Sequence, residues 1–145
     1  MIKYFKKEEE EQIIGAIREA EKHTTGEIRV HLNKEIRASS VVKEAQKVFV
    51  QLKMHKTKDR NAVLIFIVPA LHQLAIIGDK GINEKVAEDF WEVGVKKMID
   101  FFRDDQFIDG VVWGIHWVGD QLKIYFPSSN NSTNQLTDEI SYDED

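Results

Sequence analysis

Arg60-Asn-Ala-Val-Leu-Ile-Phe-Ile-Val-Pro-Ala-Leu-His-Gln-Leu-Ala-Ile-Ile-Gly-Asp-Lys-Gly-Ile-Asn-Glu84 holds two short apolar runs separated by a turn. Val63 to Val68 is unbroken, rich in β-branched residues and too short for a stable helix. Leu74 to Ile77 is a second such run, so both read as strands. Pro69 to His72 contains a proline that cannot continue a ladder, which predicts a hairpin. A strand that is apolar throughout is covered on both faces. The second run ends on Gly78-Asp79-Lys80-Gly81, which sets a charged side chain between glycines at a sheet edge, and chemistry is expected there.

Upstream, Glu27 to Leu32 alternates strictly, with Ile28, Val30 and Leu32 on one face and Glu27, Arg29 and His31 on the other. That is a strand with one wet or partly covered face. Ser39 or Ser40 can cap a helix whose stripe is Val41, Ala45, Val48, Phe49 and Leu52. Strand, helix and strand in series make a crossover unit if the strands at Glu27 and Val63 are parallel. Before them, Lys6 to Glu11 opens a helix with acids at its positive end, and Ile13, Ile14, Ile17 and Ala20 share a face. Gly26 is its natural left-handed terminator.

Downstream, Asn83 can cap a helix with the stripe Val86, Phe90, Val93, Gly94, Met98 and Phe101. Gly94 in mid-helix points to close packing against a neighbour. Asp109 can cap a last helix carrying Val111, Ile115, Val118, Leu122 and Phe126. Trp113 and Trp117 share a second face of that helix. After Pro127 the chain is Ser/Asn/Thr-rich and then acidic, and 127–145 reads as a disordered tail behind a single domain of residues 1–126. The fold class is α/β, a three-layer α/β/α sandwich around a small mixed, mostly parallel sheet.

With 145 residues, 42% of them hydrophobic and 31% charged, one domain can bury a sizeable core. A net charge of -5, with no Lys/Arg cluster free of acids, argues against a nucleic-acid partner. The absence of cysteine excludes disulfides and thiolate metal sites. The start, MIKYFKKEEEEQ, has no apolar core of a leader, and no run approaches the roughly 20 apolar residues of a membrane span. A soluble, cytoplasmic chain without a direct membrane span is expected.

Topology gathers the polar residues. The start of the first strand, the start of the second and the end of the third share one edge, so Glu27, Arg60, Asn61 and Asp79 meet there. Asp104, Asp105 and Asp109 lie one helix further on, either at the opposite edge or, if that helix crosses obliquely, within reach of Asp79. Carboxylates without cysteine or paired histidines suit Ca²⁺ or Mg²⁺ rather than zinc. The loop His55 to Asn61 can hold an anion. A glycine-flanked loop opening a helix also offers N–H groups to phosphate, with Arg60 as clamp and Asp79 as nucleophile or metal ligand.

Thr25-Gly-Glu-Ile-Arg-Val30, Arg60-Asn-Ala-Val-Leu-Ile65, Gly78-Asp-Lys-Gly-Ile82 and Phe107-Ile-Asp-Gly110 together resemble, in order and spacing, the TPM domain. That family is named for a thylakoid-lumen acid phosphatase, a photosystem II repair protein and a modulator of nematode acetylcholine receptors. The resemblance covers about residues 5 to 126 and implies an α/β/α sandwich, divalent cations on acidic loop residues in some members, and phosphatase activity in some plant members. Residue by residue it carries over Glu27, Arg60, Asn61, Asp79 and Asp109.

The leading expectation is a stand-alone TPM-type domain, regulatory or structural, that binds Ca²⁺ or Mg²⁺ through Asp79, Asp104, Asp105, Glu27 and Asp109. In this expectation Asp79 and the Asp104–Asp105 pair serve one ion, helped by free carbonyls at the helix end. The alternatives are a metal-dependent acid phosphatase using Asp79 and Arg60, and a module that docks a protein partner through exposed Trp113 or Trp117.

Overall fold

The structure, a computed structural model, describes residues 4–128 and 137–143. Glu27–Leu32 forms β1, and Ala62–Val68 forms β2 parallel to it, with Glu27 opposite Ala62 and Leu32 opposite Ile67. Pro69–Leu71 ends β2 in one 3-10 turn, and His72, at φ 55°, sends the chain back as β3, Gln73–Gly78, antiparallel to β2.

Parallel neighbours need a crossover, and α2, Val41–Gln51, supplies it. The Ser40 side chain accepts the Lys43 N–H and starts that helix. Ala45, Val48 and Phe49 of α2 pack with Met54 on one sheet face, made by Ala62, Leu64, Phe66, Val68 and Ala75. The alternate residues Val63, Ile65 and Ile67, with Ile28, Val30 and Leu32, meet the other layer. That layer is α1, Lys7–Glu21, with α4, Phe90–Arg103, and α5, Phe107–Tyr125. The result is the three-layer α/β/α sandwich that the alternation demands. All seven residues of β2 are buried, and each large one contributes about 1.5–3 kcal/mol over an exposed position.

Three boundaries differ from the sequence reading. The helix expected after Asn83 is two: one turn, α3, Lys80–Asn83, capped by Asp79, and then α4 from Phe90. Asn83 instead joins them, donating to the Gly78 carbonyl at 2.7 Å and accepting the Trp91 indole N–H at 2.8 Å. Asp109 does not cap the last helix but lies in its first turn, two residues after it begins at Phe107. Among the described residues no glycine has a positive φ, so Gly26 is not a left-handed terminator. Its hydrogen faces Leu122, and a Cβ there would lie 2.8 Å from Leu122 Cδ2.

The largest correction concerns the segment 127–145. Pro127 bridges Thr24, and Ser141–Tyr142 forms β4, parallel to β1 with Ser141 opposite His31. The sheet order is β3-β2-β1-β4. Order therefore extends past Phe126. Two ladder pairs and one buried aliphatic side chain, Ile140, seat a strand too short to show a periodic pattern. Residues 129–136 and 144–145, the rest of the expected disordered tail, lie outside the described residues.

Candidate functional site

At the β2–β3 edge the chain makes a closed loop of charge and backbone. Arg60 stands just before β2 at φ 51°, a left-handed conformation that costs a non-glycine residue energy and is held only where the surroundings fix it. Its carbonyl accepts the Gly81 N–H at 2.8 Å. The approach is so close that a Cβ on Gly81 would fall 2.2 Å from the Asp59 carbonyl oxygen. The Arg60 side chain then turns onto Asp79, with Nε on Oδ2 at 2.6 Å and Nη2 on Oδ1 at 2.9 Å. Asp79 Oδ1 also accepts the Lys80 N–H at 2.8 Å and so caps α3. The hydrogen bond to Asp79 raises the Arg60 guanidinium above its ordinary value, despite some desolvation.

The expected edge group is thus assembled. Glu27 is buried at the start of β1, opposite Ala62, whose carbonyl accepts the Asp79 N–H. Asn61 is fully buried and donates from Nδ2 to Thr25 Oγ1 at 3.2 Å. Its Oδ1 has no partner among the described residues. Beside Arg60 and Asp79, the side chains of Phe49, Val50 and His55 border an open hollow of about 260 Å³. Both Asp79 oxygens are already engaged by Arg60.

Asp104 and Asp105 are elsewhere. Phe102 and Phe107, which flank them, pack ring against ring at 4.7 Å with a tilt of 31° and border a small hollow with Ile67, Val68 and Pro69, at the far end of β2. Seven residues of strand separate that end from Asp79, roughly 20 Å. One ion cannot take ligands from both, so the expected joint site does not form. Asp104 is the C-terminal cap of α4, Asp105 has φ 59°, and Asp109 follows in α5. The carbonyls of Asp100, Phe101 and Phe102 already accept the N–H groups of Asp104, Gln106 and Asp105. Carboxylates, not free helix carbonyls, are the main oxygens on offer. Among the described residues no three His, Cys, Asp or Glu side chains are grouped to hold a metal.

Trp113 and Trp117 are half-buried and stack on each other at 5.9 Å, while Trp117 stacks on Phe90 at 5.2 Å. A Cβ on Gly94 would lie 2.5 Å from Trp117 Cζ3, which is the close packing that the mid-helix glycine announces.

The sequence reading misses a third cluster, at the carboxyl end of β1. His31 is buried, with Nε2 2.6 Å from Asn33 Oδ1 and Nδ1 2.8 Å from Ser141 Oγ. Asn33 Nδ2 donates to the Glu35 carbonyl, which leaves its Oδ1 as acceptor and assigns the imidazole proton to Nε2. Burial pushes the His31 pKa down, although the bond to Asn33 opposes this. Nearby Glu44 is buried with Oε1 accepting from the Arg37 and Ala38 N–H groups at 2.6 and 2.8 Å. Burial raises its pKa, but these backbone donors win and hold it below the usual carboxylate value. Ile140 and Tyr142, two large side chains in an otherwise polar and acidic stretch, are the signal that could have brought this cluster to notice.

A mixed four-stranded sheet, with one helix on one face, three on the other and a charged loop at one edge, defines a small α/β/α domain. The chain belongs to the TPM domain family, whose model matches residues 2–121. Over 99% of this chain and 98% of its own it is similar, with 40% identity and a TM-score of 0.90, to the NMR structure of the BA42 protein from the psychrophilic bacterium Bizionia argentinensis. The N-terminal domain of cg2496 from Corynebacterium glutamicum shares the fold at 11% identity, with a TM-score of 0.64 over 92% of this chain and 80% of its own. No curated protein matches the chain. No helix of the described residues is long and apolar enough to cross a membrane.

Proposed function

We propose that this TPM domain binds a divalent cation, Ca²⁺ or Mg²⁺, at the α4–α5 corner through Asp104 and Asp105, with Asp109 within the next turn. The observation that carries the reading is the placing of two adjacent exposed acids at the C-terminal end of α4. That end already bears negative partial charge, so the acids repel it and each other until a cation arrives. Two carboxylates with water in the remaining positions is a donor set Mg²⁺ accepts and Ca²⁺ accepts weakly. Dissociation constants of about 10⁻⁴–10⁻³ M are expected for such an exposed site. The ion tightens the corner and leaves the β2–β3 edge alone, a regulatory or structural role.

A phosphomonoesterase built on Asp79 and Arg60 is the weaker reading, because the Asp79 carboxylate is spent on Arg60 and on capping α3. A Ca²⁺ and Mg²⁺ titration followed by backbone NMR tests the proposal. Shifts confined to residues 100–109, lost in Asp104→Asn with Asp105→Asn, are the expected result. Shifts centred on Asp79, or metal-stimulated phosphomonoester hydrolysis lost in Asp79→Asn, would overturn it.

A further inference from the structure

The segment 137–143 lies along the outer edge of β1, and the domain takes its side chains one after another. Asp138 faces Arg18 at 3.6 Å and stands beside the Glu21 carboxyl. Ile140 is 9% exposed and belongs to the core that α1, α4 and α5 share with the sheet. Ser141 meets His31, and the Tyr142 ring stacks on Tyr4 at 6.1 Å. The Asp143 N–H donates to the Leu32 carbonyl, while its carboxylate accepts the Lys34 N–H at 3.0 Å. This is how a sheet edge reads an extended peptide, through main-chain hydrogen bonds with pockets for successive side chains.

Two observations set the segment apart from the domain it covers. The family match ends at residue 121, before the segment begins. Its hold is also short: two ladder pairs with β1, against six between β1 and β2. Apart from Asp138 beside Glu21, the charges are complementary. Asp138, Glu139 and Asp143 come down on an edge that carries Arg18, Arg29 and the Lys34 amide, and Arg29 Nε is buried without a hydrogen-bond partner among the described residues.

We infer that the outer edge of β1 is a docking site for an extended acidic peptide of another protein, which the chain's own segment 137–143 occupies until displaced. The partner's segment adds to the sheet as β4 does. It carries an acid over Arg18, an aliphatic residue in the Ile140 pocket, a small hydroxyl residue at His31, an aromatic residue on Tyr4 and a final acid at the Lys34 N–H. Because the edge is filled from within, the affinity seen from outside is lowered by the fraction of time the segment is seated. Loosening the segment therefore strengthens docking.

A fluorescent peptide with the sequence Thr-Asp-Glu-Ile-Ser-Tyr-Asp is titrated into the full chain and into its Ile140→Asp variant. The variant binds at least tenfold more tightly than the wild type, and a peptide with Asp in place of Ile binds neither. No binding to the variant, or equal binding to both chains, overturns the inference. So does concentration-dependent dimerisation of the variant by exchange of the segment, which would assign the edge to a second copy. Hydrogen exchange on the wild type covers the case in which Ile140→Asp does not fold. The Asp143 amide should exchange at least a hundredfold faster than the amides between β1 and β2, and equal protection shows that the segment does not leave.

Discussion

Arg60 and Asp79, nineteen residues apart, are joined by two parallel hydrogen bonds of 2.6 and 2.9 Å across the edge formed by the start of β2 and the end of β3. Asp79 is at the same time the cap of α3. Asp79→Asn keeps an oxygen for the cap, whereas Asp79→Ala loses it. Alanine should therefore lower stability by about 0.5–2 kcal/mol through the cap alone, with asparagine falling between it and the wild type. Denaturant midpoints at constant slope measure this. Neither change should move the affinity for Ca²⁺ more than about twofold, a quarter to a half of a kcal/mol, because the proposed ion lies at the other end of β2.

Asp104→Ala and Asp105→Ala should each weaken Ca²⁺ binding at least tenfold, about 1.4 kcal/mol, and Glu9→Ala in α1 should not. Calorimetric titration reads the difference. Since the two acids repel each other in the ion-free chain, Asp104→Ala should be no less stable than the wild type without metal, whereas Asp105→Ala also places alanine at a left-handed φ of 59° and should lose stability; both should gain less when metal is added.

Gly94→Ala would drive a methyl group into the face of Trp117. The expected cost is about 1–3 kcal/mol for overpacking. Near-ultraviolet circular dichroism should change with it, because Trp117 stacks on both Trp113 and Phe90. An unaltered spectrum with unaltered stability would mean that α4 and α5 separate freely at this point.

Acid and alkali should loosen the β1 edge through different groups. The His31 pKa is lowered in the folded chain by burial, from an ordinary 6.5, so its contribution is whole above that value and is lost as pH falls toward the folded one. Glu21 is displaced the other way, upward from 4.5, first by burial and then by its hydrogen bond to Asp138. Its contribution is whole below 4.5 and declines as pH rises and the unfolded chain alone gives up the proton. Glu21→Gln, a neutral isostere, should flatten the fall in stability between pH 4.5 and about 10. Chemical denaturation at a series of pH values tests both arms.

The hairpin, the crossover through α2 and the edge that gathers Glu27, Arg60, Asn61 and Asp79 were legible because apolar runs and strand direction dictate them. Direction alone left open whether Asp79 reached Asp104. The path of α4 decided that, and it turns on Asn83 acting as a bracket between Gly78 and Trp91 rather than as a cap. The pairing of Arg60 with Asp79 was hidden for another reason: spacing can bring two charges to one edge, but not say that they neutralise each other. The place of Ser141 and Tyr142 escaped because a two-residue strand owes its order to what receives it, His31 and Tyr4, far away in the chain.

The stacking of Tyr4 on Tyr142 brings the first and last described stretches of the chain side by side. A domain fused to either end would emerge from the same side, over the segment that closes the β1 edge. A chain circularly permuted to open between α3 and α4, with its old ends joined by a short linker, should keep the fold. In it that segment would be tethered from both directions.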